Sequence, residues 1–128
     1  VPLYNRPDGL PVVAFEPDAE ISPFTLFKRL QKGHDILLVD VRTDRESRSL
    51  KGAVAWPGED WVPPADREVV LYDEAGDEAV RIARAYQERG HPGVKALFGG
   101  LDLWSFALDP DVVGAETYLV RADDEPEP

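Results

Sequence analysis

The chain is 128 residues long and 43% apolar, with three Trp, five Phe and four Tyr, which suits one domain with an aromatic core and excludes a wholly disordered chain. Acidic residues outnumber basic ones 25 to 14, for a formal charge of −11. The surface therefore repels phosphate backbones and anionic lipid, and neither nucleic acid nor membrane is expected as a partner. With no cysteine in the sequence, disulfides, thiolate metal sites and a cysteine nucleophile are excluded.

No apolar run approaches the ~20 residues of a membrane span. The first residues, Val1-Pro2-Leu3-Tyr4-Asn5-Arg6, lack the charged start and apolar stretch of a signal peptide, so a cytoplasmic setting is expected. Neither His34 nor His91 has a second ligand at metal spacing, and no metal or other cofactor is expected. Arg outnumbers Lys ten to four, Met is absent and Pro reaches twelve. That composition fits a thermophile protein, and a GC-rich genome would favour the same residues.

In chain order, Leu3 to Phe15 carries two short apolar runs around Arg6-Pro7-Asp8-Gly9, the pattern of a terminal hairpin or arm within residues 1–20. Ser22-Pro23 offers an N-cap and an N1 proline for a helix with Phe24, Phe27 and Leu30 on one face and Gly33 as its stop. Ile36 to Val41 is nearly continuously apolar, as a strand buried on both faces of a parallel sheet must be. Thr43 and Glu46 have capping-box spacing, which predicts a short charged helix over Thr43 to Leu50 before a small strand at Ala53 to Trp56. Pro57 to Arg67 reads as a loop.

Val69 to Tyr72 is a second buried strand, and Asp77 to Arg89 a helix closed by Gly90, with Val80, Ala83 and Tyr86 or Ile82 turned inward. Val94 to Leu97 is a third strand, followed by Gly99-Gly100 and a short helix holding Leu101, Trp104 and Leu108. Strands alternating with helices imply parallel βαβ units. Beyond Asp109-Pro110, Thr117 to Val120 is expected to be an added edge strand within an extension over 109–122, and the acidic residues 123–128 to be disordered. Exposed edges of this kind invite a homodimer.

The order of these motifs resembles the rhodanese-like family. The resemblance is carried by Ile21-Ser22-Pro23, Leu38-Val39-Asp40-Val41-Arg42, Gly52-Ala53 with Pro57, Val69 to Tyr72, and Val94 to Leu97 with Gly99-Gly100 and Trp104. It implies an α/β three-layer sandwich over residues 21–108, a central, mainly parallel sheet of about five strands flanked by helices, to which the terminal segments, outside the match, are expected to add extra strands. It also implies an active-site loop after the Val69 to Tyr72 strand. In active members that loop opens with a cysteine whose thiolate takes up a sulfane sulfur, and related phosphatases use a similar loop for phosphate.

The corresponding segment here is Asp73-Glu74-Ala75-Gly76-Asp77-Glu78. Asp73 stands where the family has cysteine, Glu78 where an arginine is usual, and Ala79 in place of a serine. A carboxylate cannot form a persulfide, and four carboxylates in six residues should repel a small anion. Asp73 or Asp77 is expected to satisfy the backbone amides that would otherwise hold one. The resemblance gives Asp40 and Arg42 the role of supporting this loop. Arg81 and Arg84, with Asp77, Glu78 and Glu88 nearby, read as a salt-bridged solvated face.

Trp56 and Trp61, among Pro57, Pro63 and Pro64, form either a mini-core under the long loop or an exposed patch that anchors a partner. The expectation that follows is a noncatalytic protein-binding, scaffold or regulatory module, its unknown protein partner carrying a basic patch. The alternative is a sulfurtransferase-related enzyme or subunit whose thiol comes from a partner.

Overall fold

The computed structural model describes residues 15–42, 48–114 and 116–121. Five parallel strands form the central sheet: β1 (Glu20–Ile21), β2 (Ile36–Asp40), β4 (Val54–Ala55), β5 (Glu68–Tyr72) and β6 (Val94–Leu97), in the order β1-β6-β5-β2-β4. Helix α1 (Pro23–Gln31) and helix α3 (Gly100–Ala107) pack together, and helix α2 (Asp77–Glu88) joins β5 to β6. A single turn, α4 (Pro110–Val113), follows α3.

The strands alternate as a pleated sheet covered on both faces must. Ile36, Leu38, Val70 and Tyr72 join Leu26, Phe27, Leu101 and Trp104 in one core, whereas Val39, Val41, Val69 and Leu71 join Ala79, Ile82, Ala83 and Tyr86 in the other. This is the expected three-layer α/β arrangement.

Helix α1 begins as its sequence predicts, with the Ser22 side chain accepting from Thr25 N and Pro23 at N1. Its inward face differs from the expected one. Leu26 and Phe27 are buried and Leu30 packs beside them, while Phe24 is 48% exposed. The inward stripe is centred on Leu26, Phe27 and Leu30, and at 3.6 residues per turn Phe24 stands about 110° round the helix from that centre, nearly opposite Leu26. In α2 the buried set is Ala79, Ile82, Ala83 and Tyr86, with Val80 half-buried at the edge of that face.

Two strand expectations are corrected. Arg48–Leu50 is a strand, β3, rather than the end of a helix, and its partner is β7 (Leu119–Arg121) in a separate antiparallel ribbon. The partner supplies the reason: Arg48 pairs with Arg121 and Leu50 with Leu119, while the Leu50 amide donates to the Tyr72 hydroxyl at 3.1 Å. The terminal strand expected at Thr117 to Val120 accordingly pairs with β3 and not with the edge of the central sheet. Glu20, placed in the terminal arm by its sequence, lies in the edge strand of the central sheet. The hairpin expected over Leu3 to Phe15 falls outside the described residues except for Phe15, as do the capping pair Thr43 and Glu46 and the tail 123–128.

Glu20 is buried, and one of its carboxylate oxygens accepts from the Glu16 amide at 2.9 Å. Burial raises its carboxyl above the ordinary value of 4.5, against the lowering effect of that amide. A carboxyl raised on folding contributes stability at low pH and loses it as the pH climbs through the folded value. Glu20→Gln keeps the acceptor and removes the buried charge. It is therefore expected to raise the urea midpoint at pH 7, with the gain disappearing below pH 4.5, a difference that parallel unfolding curves at the two pH values would detect.

Candidate functional site

The carboxyl ends of β2 and β5 lie side by side, Asp40 in register with Tyr72. The chain leaves β2 toward β4 on one side, while β5 leads through α2 to β6 on the other. Open α/β sheets place their binding crevices at such divergences. Asp73 emerges from β5 at this point and Arg42 follows β2.

Asp73 is 7% exposed. One carboxylate oxygen accepts from Gly76 N at 2.5 Å, and the other from Glu78 N at 2.9 Å and Ala79 N at 3.3 Å. These are the donors that the first turn of α2 leaves without helical partners. Gly76, in the N-cap position with φ 100°, has no side chain to serve them. Asp73 therefore caps the helix from upstream and puts a negative charge at the positive end of its dipole.

A second helix start holds the same loop from the opposite side. Leu101 N and Asp102 N, at the head of α3, each donate at 2.9 Å, to the carbonyls of Asp73 and Glu74 respectively. That approach depends on Gly99 and Gly100, with φ of 74° and 61°. A β-carbon at Gly100 would lie 2.5 Å from both carbonyl oxygens.

The ionic groups close around Glu74. Arg42 is clamped to buried Asp40, donating from Nε to Oδ1 at 3.0 Å and from Nη2 to Oδ2 at 2.8 Å, while its backbone amide donates to Oδ1 at 2.9 Å. From there Nη1 reaches Glu74 and Nη2 the Arg48 carbonyl. Arg48 comes in from β3 and donates to Glu74 at 2.6 Å, to Asp102 at 2.7 Å and to the Ser105 hydroxyl at 2.8 Å. Burial would raise the Glu74 carboxyl, but the hydrogen bonds from Arg48 and Arg42 outweigh it and hold the group below the usual carboxylate range. Burial also pushes the Tyr72 hydroxyl, beneath the Arg42 guanidinium, up to about 12.

The acidic loop is thus not the bare negative surface that counting its carboxylates suggests. Asp73 is taken up by amides, Glu74 by two guanidiniums, and Glu78 by Arg81 at 2.8 Å; Asp77 faces outward. Ala75 is exposed and Gly76 buried. Arg84 pairs with Glu16 and, more loosely, with Asp18. Arg48, Asp102 and Ser105 were not among the candidates the sequence offered. The nearest signal was the repeated arginine after Arg42, which carries no geometry until β3 finds β7.

Trp56 and Trp61 are half-buried, and the Trp56 amide donates to the Asp40 carbonyl at 2.9 Å, at the end of β2. The Trp56 indole donates to the Tyr86 hydroxyl at 3.0 Å, which in turn donates to the Trp61 carbonyl at 2.8 Å, and the Trp61 ring stands edge-on to Tyr86. Tyr86 is in the last turns of α2, about 14 Å along the axis from Asp77 at 1.5 Å per residue. Both tryptophans pack on the α2 side of the core.

The fold and the site together define an α/β domain whose acidic loop follows a central parallel strand and opens a helix. The family model for the rhodanese-like domain matches residues 24–107, and the chain belongs to the rhodanese-like family. It is 31% identical over 94 residues to a sulfurtransferase of Allochromatium vinosum, an alignment covering 67% of this chain and 87% of that protein. Among solved structures it resembles a rhodanese-related protein of Thermoplasma volcanium (TM-score 0.59, 16% identity, 70% of this chain and 92% of that one). It also resembles the BH2092 protein of Bacillus halodurans (TM-score 0.59, 21% identity, 71% and 74%). At those identities the structural likeness concerns the fold. No helix among the described residues is long and apolar enough to cross a membrane.

Proposed function

We propose that this chain is a noncatalytic rhodanese-like domain that acts by binding a protein partner, as a scaffold or regulatory module. The observation that carries this reading is the Asp73 carboxylate, bonded through both oxygens to Gly76, Glu78 and Ala79. By its place in the family pattern, Asp73 replaces the sulfur-carrying cysteine and at the same time fills the amide cradle that would receive an anion. Sulfane-sulfur transfer needs a thiolate that is both nucleophile and carrier, and the sequence has none.

Likeness to a sulfurtransferase keeps one competing reading, in which a partner's thiol completes the reaction, and one assay separates the two. The purified chain, incubated with thiosulfate and cyanide, is expected to form thiocyanate no faster than buffer. Turnover by the chain alone would refute the noncatalytic reading, and turnover that appears only on adding a thiol acceptor such as glutathione or a dithiol would establish the competing one.

A further inference from the structure

We propose that the α3–α4 corner is the docking surface, and that its occupant is a cationic protein segment with an apolar side chain at its centre. The inference rests on the binding role argued above and assigns that role a place. Helix α3 turns Leu101 and Trp104 into the core, with Leu108 following them. Its opposite side is apolar as well: Leu103 and Ala107 are half-buried, and Phe106 between them is 85% exposed. On the next turn, α4, Val112 is 80% exposed while its neighbour Val113 packs inward. Helix α3 thus carries a second apolar strip outside the core, with Asp102 and Ser105 between the two, and an exposed aromatic set among aliphatic neighbours is the usual anchor of an interface.

The rim selects the occupant. Asp102, Asp109 and Asp111 are all exposed around this corner, and neither helix has a basic residue in its last turn. Arg48, the guanidinium that reaches α3, is committed to Glu74, Asp102 and Ser105. A second copy docked through the same face would set these carboxylates against one another on a chain already at −11, since a two-fold interface brings each patch to itself. A lysine- or arginine-bearing segment meets them favourably and is steered by them. The corner is also continuous with the acidic loop, because the head of α3 holds the Asp73 and Glu74 carbonyls and Asp102 shares Arg48 with Glu74.

The test uses the whole chain and three synthetic helical peptides of equal length, patterned Lys/Leu, Lys/Ser and Glu/Leu, with binding read by fluorescence anisotropy over a range of salt. The Lys/Leu peptide is expected to bind most tightly and the Glu/Leu peptide not at all. Phe106→Ser with Val112→Ser should weaken Lys/Leu binding at least tenfold. Asp109→Asn with Asp111→Asn should weaken it severalfold and flatten its salt dependence, Asn preserving the α4 cap. A control pair on the α2 face, Glu59→Gln with Glu88→Gln, makes the same charge change and should leave binding as it was.

Absence of Lys/Leu binding, an undiminished affinity in the Phe106 and Val112 variant, or an equal loss in the control pair would each overturn the proposal, the last by showing only general attraction to an acidic chain. Light scattering that finds a dimer dissociated by Phe106→Ser would replace the cationic segment with a second copy. Thiocyanate turnover would refute the noncatalytic reading while leaving this binding result standing, so the two failures are distinguishable.

Discussion

Asp73→Ala is expected to destabilise the domain by about 3 kcal/mol in urea unfolding at pH 7, the order of cost for buried donors that lose a charged acceptor. The variant leaves the amides of Gly76, Glu78 and Ala79 without the carboxylate that now serves all three. The nearly isosteric Asp73→Asn should recover little. Its single oxygen can face either Gly76 or the pair Glu78 and Ala79, and its NH2 then confronts the remaining donors. Sodium sulfate should raise the urea midpoint of Asp73→Ala more than that of the native chain, because a vacant helix start attracts anions. Equal stability of the Ala variant and the native chain would show that these amides find other partners at no cost.

Gly100→Ala should be as damaging, by roughly 3 kcal/mol or more, and for a different reason. The added carbon would lie 2.5 Å from the carbonyl oxygens of Asp73 and Glu74 and 2.6 Å from the Glu74 carbonyl carbon. Those are backbone atoms that cannot swing aside, and separating them breaks the bonds from Leu101 N and Asp102 N. Gly90→Ala is the comparison. It has a similar backbone, φ 96°, but nothing within 4 Å of the added carbon, so it carries only the left-handed penalty of roughly 1–2 kcal/mol. Thermal or urea unfolding of the two variants side by side checks the difference, and equal losses would mean that the loop is not clamped against α3.

The expected layers were legible because buried parallel strands announce themselves as apolar runs, and β2, β5 and β6 coincide with Ile36, Val69 and Val94 and the residues after them. Short elements held by distant partners were not. Arg48-Ser49-Leu50 has no period of its own; it is a strand because Leu119–Arg121, far along the chain, lies beside it. The same separation concealed half of the candidate site. The family resemblance pointed to Asp73, at the head of the loop after β5, whereas Arg48 acquires its role only when a ribbon brings it beside Glu74. Counting carboxylates along residues 73–78 therefore overstated the repulsion, since charge along a chain is not charge in space.

The β3–β7 ribbon also has a kinetic meaning. It joins residues near the middle of the chain to residues near 120, with the Lys51 amide donating to the Tyr118 carbonyl and the Trp104 indole to the Thr117 carbonyl. Contacts of such high sequence separation are slow to close and raise the contact order of the fold. During synthesis from the N-terminus, β2, β5 and α2 can assemble around Asp73 while Arg48 still lacks its antiparallel neighbour. The bracing of Glu74 by Arg48 therefore depends on a strand, Leu119–Arg121, that is among the last of the described residues to be synthesised.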